Sequence, residues 1–273
     1  GSFHQWNPLK QQFDFLGMRN WNRIFANGLF WHSMKNTFVF AMIAVFFRVI
    51  LGLILAHVLH SKLIKHKSVY RTLYYLPTIT PMVAVAFVWK FIFDPRIGLL
   101  NRLLNSDINW LYDGRYALAA MLILTIWKDF GYAVVILLGG LYSLPTECFE
   151  AAEIDGANYF TIFMKIAMPL SKTAVLTVGL MYALGYWNDW WNALIFINEK
   201  ELFPLQYYLY NILSNVNAIS SGLIPSGASG SITLPAETVK MAVTVITIGP
   251  IIFLYPFVQK YFVDGIMTGA VKE

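Results

Sequence analysis

EAAEIDGANYFTIFMKIAMPL, residues 150–170, places four charged side chains and one glycine between long apolar runs. Glycine adopts positive φ angles without a steric penalty, so Gly156 is predicted to be the C′ residue that ends a helix. Ser143 is predicted to cap the start of that helix, and Pro145 to lie in its first turn. The sequence therefore predicts a helix, a tight turn at Asp155-Gly156 and a second helix.

The second helix carries an apolar stripe. Asn158 is predicted to cap its start and Pro169 to end it. The residues at i, i+3, i+4, i+7 and i+8 are apolar, and two more apolar residues widen the stripe beyond that of an ordinary surface helix. These residues are Tyr159, Ile162, Phe163, Ile166 and Ala167, with Phe160 and Met164 beside them. Such a surface lies either flat on a bilayer or against a second protein, and the residues alone leave both alternatives open.

The composition predicts an integral membrane protein. Of 273 residues, 58% are hydrophobic and 13% are charged, whereas about a quarter of the residues in soluble domains are charged. The net charge of +5 could suggest nucleic-acid binding, but the densest basic cluster lies between two apolar runs, where the positive-inside rule accounts for it. That cluster consists of Lys62, Lys65, Lys67 and Arg71. We therefore expect contact with membrane lipid and no nucleic-acid partner.

Five apolar segments are long enough to cross a bilayer, which takes about 20 residues each. They are Asn36–His60, Tyr74–Phe93, Tyr116–Leu141, Thr173–Ile197 and Lys240–Tyr261. The basic loop 61–71 is expected to face the cytoplasm, and alternation then places 142–172 and the tail 262–273 inside and 198–239 outside. The predicted fold is an all-α, multi-pass membrane protein whose transmembrane domain covers residues 36–273.

Residues 1–35 are then expected to lie outside. They contain no positively charged start followed by an apolar core, which a secretory signal would require. We therefore expect a first span upstream of residue 1, which would give the intact subunit six spans with both ends inside.

Charged side chains within the predicted spans are costly in hydrocarbon and require a reason. Arg48 lies in the middle of the first span, and Lys128-Asp129 lies in the middle of the third. One hypothesis is a water-filled path or a proton relay. The other, which the usual fate of such residues favours, is an ion pair between Arg48 and Asp129 that locks two helices together. Gly131 would let its helix bend or let another helix approach closely.

The sequence shows no arrangement of residues for catalysis or for binding a metal or a nucleotide. The phosphate-binding motif Gly-x-x-x-x-Gly-Lys-Ser/Thr does not occur, so ATP and Mg²⁺ are not expected to bind this chain. His57 and His60 have a metal-compatible spacing, but packing at the membrane interface explains them more simply. Cys148 is the only cysteine, so no intrachain disulfide can form. No catalytic residue, metal site or cofactor is therefore predicted in this chain.

The charged loop resembles a known motif. Its glutamate-alanine-alanine start, its aspartate-glycine-alanine turn and its later apolar positions are similar to the EAA loop of permease subunits in binding-protein-dependent ABC importers. In that family the loop forms the coupling helices that dock into a groove on the cytoplasmic ATPase subunit. The residues to which the resemblance gives an ATPase-coupling role are Glu150, Ala151, Ala152, Asp155, Gly156, Ala157, Phe163, Ile166 and Pro169.

Three further stretches resemble the carbohydrate-importing branch of that family. They are YRTLYYLPTITPMVAVAFVWKFIFDPRIGLLN (70–101), WKDFGYAVVILLGGLYSLP (127–145) and YPFVQKYFVDGIMTGAVKE (255–273). These importers use two different permease subunits. Residues 1–145 look more like one of them and residues 173–273 more like its partner, so which half of the pair this chain represents stays open, as does whether the chain is a composite of the two.

The resemblance implies a transmembrane permease subunit, in the bacterial cytoplasmic membrane, of an ATP-driven importer for a sugar or oligosaccharide. Its expected partners are a second permease subunit, two ATP-binding subunits, and a periplasmic or lipid-anchored solute-binding protein that delivers the substrate. ATP and Mg²⁺ would then bind the partner subunits, and this chain is not expected to be an enzyme. The alternative is a self-sufficient secondary transporter or channel, which has no need of an exposed coupling motif; a membrane-bound enzyme comes third.

The stretch YALGYWNDWWNALIF, residues 182–196, is the candidate contact with the sugar. Aromatic rings can stack on sugar rings, and amide or carboxylate groups can bond hydroxyl groups in a mostly apolar pocket. The residues predicted to line the substrate path are Tyr182, Tyr186, Asn188 and Asp189. Helical spacing places Tyr182, Tyr186 and Asp189 on one face. The alternative is an aromatic belt at the outer interface, which accounts for the three tryptophans of this stretch but not for its polar residues.

Overall fold

The structure is a computed structural model that describes residues 3–7, 12–61, 64–220, 241, 242, 244–249, 252 and 256. The chain divides into two compact units. The first unit comprises Gly1–Val39 and Tyr186–Tyr255, and the second comprises Phe40–Gly185 and Pro256–Glu273. The loop 142–172 and the charged residues of the predicted spans both belong to the second unit.

Helices form most of the described chain. Two short strands, β1 (His4–Asn7) and β2 (Gln12–Phe15), precede α1 (Arg19–Phe25) and α2 (Gly28–His60). The helices that follow are α3 (Lys67–Ile79), α4 (Met82–Ile92), α5 (Leu99–Leu104), α6 (Gly114–Tyr142), α7 (Thr146–Ile154), α8 (Tyr159–Ile162), α9 (Met168–Leu170), α10 (Lys172–Trp187), α11 (Trp191–Phe196) and α12 (Leu205–Ser220). A π turn, Phe163–Ala167, joins α8 to α9, and a 3-10 turn, Lys200–Leu202, precedes α12.

Two helices, α2 and α6, are long and apolar enough to cross a membrane as single spans. Two bent helix pairs qualify if each pair counts as one span: α3 with α4, and Tyr159–Leu170 with α10. The described residues therefore offer two to four spans, and the predicted all-α membrane fold is confirmed. Of the fifth predicted span, Lys240–Tyr261, the described residues are helical; its other residues and the tail 262–273 lie outside the described part of the chain.

The second predicted span, Tyr74–Phe93, is not one continuous helix. α3 ends at Ile79, and α4 runs at 93° to it. The break lies at Thr80, whose ψ of 133° is extended, and at Pro81, which follows it. A proline crowds the preceding residue out of the helical region and supplies no N–H of its own. The apolar composition predicts the span correctly, and the Thr-Pro step bends it.

The fourth predicted span, Thr173–Ile197, is also interrupted. α10 ends at Trp187, and α11 begins at Trp191. The carboxylate of Asp189 accepts hydrogen bonds from the backbone N–H of Asn192 at 3.1 Å and from its side-chain amide at 2.5 Å. A short polar side chain that bonds the local backbone in this way competes with helix propagation and starts a new helix. The predicted span is therefore two helices with a polar break between them.

α2 and α6 form the core of the second unit. The buried apolar side chains that cluster between them are Val49, Leu53, Ala56 and Leu59 from α2, and Ala133, Val134, Leu137, Leu138 and Leu141 from α6. Glycines permit close approaches: a Cβ atom on Gly52 would lie 2.8 Å from that of Ala133, and one on Gly131 would overlap the carbonyl oxygen of Tyr74. α2 and α3 thus both pack directly on α6, as small residues allow in membrane helices. The predicted close approach at Gly131 is confirmed.

The first unit has a smaller core of its own. Its buried members are Phe30, Trp187, Leu205, Leu209 and Ile246. The backbone N–H of Leu205 donates to the hydroxyl of Thr37 at 2.8 Å, which fixes the start of α12 to α2. β1 and β2 pair as an antiparallel hairpin, which the all-helical prediction did not include. α12 lies within the predicted outer loop 198–239, whose residues 221–239 lie outside the described part of the chain.

Replacing Gly131 by alanine should destabilise the protein, because the added methyl group would overlap the backbone oxygen of Tyr74 in α3. Overpacking of this kind costs about 1–3 kcal/mol, and more where backbone must move. We expect Gly131→Ala to lower the melting temperature of the detergent-solubilised protein, measured by intrinsic fluorescence. Gly139→Ala is the matched control on the same helix, since a Cβ atom there meets nothing within 4 Å. Equal melting temperatures for the two variants would contradict the packing of α3 on α6.

Candidate functional site

The loop 142–172 begins differently from the prediction. α6 continues to Tyr142, and the hydroxyl of Ser143 donates to the carbonyl of Gly140 at 2.7 Å. The last carbonyl groups of a helix lack intrahelical donors and accept bonds from nearby side chains. Ser143 therefore bonds the last turn of α6 and does not cap the start of α7. Pro145 lies immediately before α7 instead of in its first turn.

α7 ends in a Schellman turn at Gly156. Gly156 has a φ of +77°, its N–H donates to the carbonyl of Glu153 at 3.1 Å, and the N–H of Ala157 donates to the carbonyl of Ala152 at 3.0 Å. These two hydrogen bonds define the motif. The predicted role of Gly156 as the C′ residue is confirmed. A Cβ atom at this position would meet nothing within 4 Å, so the backbone conformation alone restricts the residue.

The second helix of the loop begins as predicted and ends differently. The side-chain carbonyl of Asn158 accepts the N–H of Thr161 at 2.8 Å, which confirms the predicted cap. The chain then continues through the π turn and α9 and bends by 71° before α10. Pro169 does not end the helix, because it lies within α9 and the helical conformation continues to Leu170. The bend falls instead at Ser171, the residue that follows α9.

One face of the loop is buried in the second unit. The loop residues that join the core of α2 and α6 are Phe149, Ile162, Phe163 and Ala167. The ring of Phe163 lies 5.3 Å from that of His57, and the ring of Phe149 lies 5.1 Å from that of His60. Both histidines belong to the last turn of α2. Each helix of the loop is therefore held against the end of α2 by an aromatic contact.

These ring contacts give the two histidines a packing role. No group of three or more His, Cys, Asp or Glu residues that could hold a metal ion occurs in the part of the chain that the structure describes.

The opposite face of the loop exposes large apolar side chains. Ile154 is 85% exposed and Phe160 is 72% exposed, and Tyr159 and Met164 are exposed beside them in the sequence. We call these four residues the apolar face of the loop. Exposed apolar surface of this kind marks a contact with a protein or a membrane. Ile154 was missed by the sequence analysis, because only the geometry of the Gly156 turn shows that the end of α7 points outward.

The nine predicted coupling residues divide between the two faces. Those packed against the core are Ala152, Ala157, Phe163 and Ile166. Those exposed are Glu150, Ala151, Asp155, Gly156 and Pro169. The exposed group is placed where a partner could contact it, and the packed group is placed where it holds the loop to α2 and α6. The coupling role of each residue stays a prediction.

A cluster of charged and polar side chains ties three helices of the second unit together. Arg48 of α2 lies 2.7 Å from a carboxylate oxygen of Asp129 on α6, and it also donates to the carbonyl of Thr125. Its guanidinium lies 4.7 Å from the ring centre of Tyr182 on α10. The Tyr182 hydroxyl donates to the carbonyl of Asp129 at 2.8 Å. The predicted pairing of Arg48 with Asp129 is confirmed.

Lys128 connects this cluster to α3. Its ammonium donates to the carbonyl of Thr78 at 3.1 Å, and the Thr78 hydroxyl donates back to the carbonyl of Lys128 at 3.0 Å. The same ammonium lies 3.5 Å from the second carboxylate oxygen of Asp129. Lys128, Asp129 and Arg48 therefore form one charged network, in which a single carboxylate is shared by two cations.

The residues predicted to line the substrate path do not lie on one continuous helix. Tyr182 belongs to the second unit, beside the charged network. Tyr186 is buried in the first unit, and Asn188 is exposed in the break after α10. Asp189 lies beyond the end of α10, where it bonds Asn192, so the expectation that it shares a helical face with the two tyrosines is wrong. The contact of these residues with a substrate stays a prediction.

The second unit combines apolar helices and bent helix pairs with a helix–turn–helix loop that packs on α2 and α6. Residues 48–268 match the family described as "Binding-protein-dependent transport system inner membrane component", and the chain belongs to this family.

Several proteins are similar to this chain. The "Polygalacturonan/rhamnogalacturonan transport system permease protein YtcP" of Bacillus subtilis is 37% identical over 52% of this chain and 49% of its own length. The "Trehalose/maltose transport system permease protein MalF" of Thermococcus litoralis is 35% identical over 61% of this chain and 57% of its own length. The chain spans about half to two thirds of the length of such curated relatives.

The fold is shared with a solved structure of a bacterial ABC transporter involved in the import of the acidic polysaccharide alginate. The TM-score is 0.72 at 24% identity, over 96% of this chain and 87% of that chain. The predicted ABC importer permease fold is therefore confirmed.

Removing one member of the Arg48–Asp129 pair should destabilise the protein by an amount that depends on which member is removed. Asp129→Asn deprives two cations of the carboxylate they share, whereas Arg48→Met leaves Lys128 as a partner for Asp129. Breaking a buried pair costs about 3–5 kcal/mol, because the remaining charge is left uncompensated. We expect Asp129→Asn to lower the melting temperature of the purified protein more than Arg48→Met. The double variant should lose less stability than the sum of the two single variants; strictly additive losses would show that the pair is not energetically coupled.

Proposed function

We propose that this chain is a transmembrane permease subunit of an ATP-driven importer for a sugar or oligosaccharide. The single observation that carries the proposal is the two-faced loop. Its inner face is part of the core of α2 and α6, and its outer face presents the apolar residues and charges that a docking partner would cover. The membership of the chain in a family of binding-protein-dependent transport components supports the same assignment.

The loop is suited to transmit a movement. Phe149 and Phe163 pack against the last turn of α2 through His60 and His57, so a displacement of the loop must displace the end of α2 as well. Close-packed contacts of this kind shift as units, because interiors are as dense as organic crystals and compress little. A partner that pushes or pulls on the outer face would thereby move α2 and α6 within the membrane.

The proposed partners follow from this arrangement. Two ATP-binding subunits would dock on the cytoplasmic side, one of them on this loop, and would hold the ATP and Mg²⁺. A second permease subunit would complete the translocation path, and a solute-binding protein would deliver the substrate from outside. This chain would contribute no catalytic group of its own. The proposed location is the bacterial cytoplasmic membrane, crossed several times.

A sugar is the proposed substrate. The relatives YtcP and MalF are described as permeases for polygalacturonan or rhamnogalacturonan and for trehalose or maltose. In the second unit, Tyr182 places an aromatic ring beside charged and polar groups, a combination found in small-molecule sites. Tyr182 is therefore proposed to contribute to the translocation path, and contributions of Tyr186, Asn188 and Asp189 are proposed with it.

Replacing Gly156 by valine should weaken coupling while the chain still enters the membrane. A β-branched residue at φ +77° is strained by roughly 1–2 kcal/mol relative to glycine, so the Schellman turn should open. The measurements are sugar uptake by proteoliposomes that contain the whole importer, and the amount of ATPase subunit that copurifies with the chain. Gly156→Asn is the matched control, since asparagine tolerates a left-handed conformation. Full uptake and full assembly in the valine variant would show that the turn plays no part in coupling.

A charge on the outer face should break docking without disturbing the fold. Phe160→Asp and Ile154→Asp each replace a side chain that is exposed in the subunit alone, so the melting temperature of the isolated chain should change little. Copurification of the ATPase subunits should fall at least tenfold. The control is Leu103→Asp, an equally exposed leucine on α5, outside the loop. A self-sufficient transporter would show no copurifying ATPase in any variant and would retain uptake in all of them.

A further inference from the structure

Two basic side chains of α3 contact the ends of two other helices. Lys67 and Arg71 lie one turn apart at the start of α3, on the same face. The Lys67 ammonium donates to the carbonyl of His60, the last residue of α2, at 3.1 Å. The Arg71 guanidinium donates to the hydroxyl of Tyr142, the last residue of α6, at 3.1 Å, and it lies 5.6 Å from the centre of that ring. Both cations are therefore held where the ends of α2 and α6 meet the start of α3.

These contacts orient the two cations without neutralising them. The carbonyl of His60 and the hydroxyl of Tyr142 are neutral acceptors, and neither Lys67 nor Arg71 forms an ion pair with a residue that the structure describes. The sequence contains no Asp or Glu between Asp14 and Asp94. An ammonium can donate three hydrogen bonds and a guanidinium five. Both side chains therefore keep donors for a further, anionic acceptor.

A third cation extends this group towards solvent. Lys65 is exposed and precedes α3 by two residues, whereas Lys67 and Arg71 are half-buried. We call Lys65, Lys67 and Arg71 the basic site. It belongs entirely to the second unit, on the side of the membrane that the positive-inside rule predicts to be cytoplasmic.

The outer side of α3 shows what surrounds the basic site. Its large exposed side chains are apolar: Val69, Leu73 and Leu76. At 1.5 Å per residue, they follow Lys67 by about 3, 9 and 14 Å along the helix axis. α3 and α4 together are apolar enough to form one bent span. Exposed apolar side chains on such a span lie among acyl chains, so the basic residues that precede them lie at the level of the lipid headgroups.

The positive-inside rule explains why basic residues occur here but not how they are arranged. The rule concerns the number of Lys and Arg residues in a loop, and side chains that extend into water would satisfy it. Lys67 and Arg71 instead lie within a helix and are fixed by groups of α2 and α6. Basic side chains between the ends of membrane helices on the cytoplasmic side are suited to the headgroups of anionic lipids.

We propose that the basic site binds the headgroup phosphate of an anionic phospholipid, such as phosphatidylglycerol, whose acyl chains lie against the membrane helices. The phosphate oxygens accept charge-assisted hydrogen bonds from Lys67 and Arg71, and Lys65 adds a third positive charge at the rim. Free phosphate shares this headgroup chemistry but has no chains to place beside the apolar side of α3. The bound lipid would link the ends of α2, α3 and α6, whether or not the chain transports a sugar.

The test is a lipid titration of the complete importer in detergent, with bound lipids counted by native mass spectrometry. The probes are dioleoyl-phosphatidylglycerol and dioleoyl-phosphatidylcholine. The double variant Lys67→Gln, Arg71→Gln should bind at least tenfold less tightly to the phosphatidylglycerol that occupies this site, with its affinity for phosphatidylcholine unchanged. Lys172→Gln is the matched control, since it removes an exposed lysine at the start of α10, and it should bind both lipids as the wild type does. Arg71→Lys keeps the charge and should retain most of the binding.

A second measurement needs no variant and does not depend on how well the double variant folds. Phosphatidylglycerol should raise the melting temperature of the wild-type importer more than phosphatidylcholine does, and inorganic phosphate at equal concentration should not. An equal rise with inorganic phosphate would identify a free-phosphate site and overturn the inference. Unchanged phosphatidylglycerol binding in the double variant would also overturn it. If that variant instead lost the ATPase subunits while it bound lipid normally, the basic site would be a protein contact and the inference would be wrong.

Discussion

The ion pair between Arg48 and Asp129 is the constraint on which the second unit depends. A guanidinium in the middle of a membrane helix must find acceptors within the protein, because the bilayer supplies none. Arg48 finds them on α6, in the carboxylate of Asp129 and the carbonyl of Thr125. The register of α2 against α6 is thereby fixed. Gly52 allows the backbone of α2 to approach α6 closely, and Gly131 allows the same for the backbone of α3.

The loop 142–172 is held in place by the same two helices. It begins where α6 ends and packs on the last turn of α2, so both helices that the ion pair joins also hold the loop. The Schellman turn at Gly156 and the cap at Asn158 satisfy the backbone groups that the two short helices leave open. Local hydrogen bonds therefore set the shape of the loop, tertiary packing sets its position, and the residues left exposed form a surface with a defined orientation to the membrane helices.

Sequence patterns predicted those parts of the molecule that local chemistry determines. The turn at Gly156 and the cap at Asn158 depend on neighbouring backbone groups, and the pairing of Arg48 with Asp129 depends on the cost of a charge in hydrocarbon. Hydropathy averages over a window, so it could not resolve the bend at Pro81 or the polar break at Asp189, although each residue carries a recognisable local signal.

The remaining differences have a tertiary origin. Ser143 can cap either of the two helices that flank it, and only the length of α6 decides which one it serves. The outward orientation of Ile154 depends on how the whole loop packs on α2 and α6. The sharing of Asp129 by Lys128 and Arg48 arises from the contact of α3 and α2 with α6, which no spacing within one segment reveals.

The central claim is that the exposed face of the loop is covered by an ATPase subunit in the working importer. Cys148, the only cysteine of the chain, is exposed on α7 and reports directly on this contact. The decisive measurement is its rate of modification by a water-soluble maleimide, in the isolated chain and in the assembled importer. We expect rapid modification of the isolated chain and at least tenfold slower modification after the ATPase subunits bind. Equal rates in the two states would contradict the claim that the loop is the docking site.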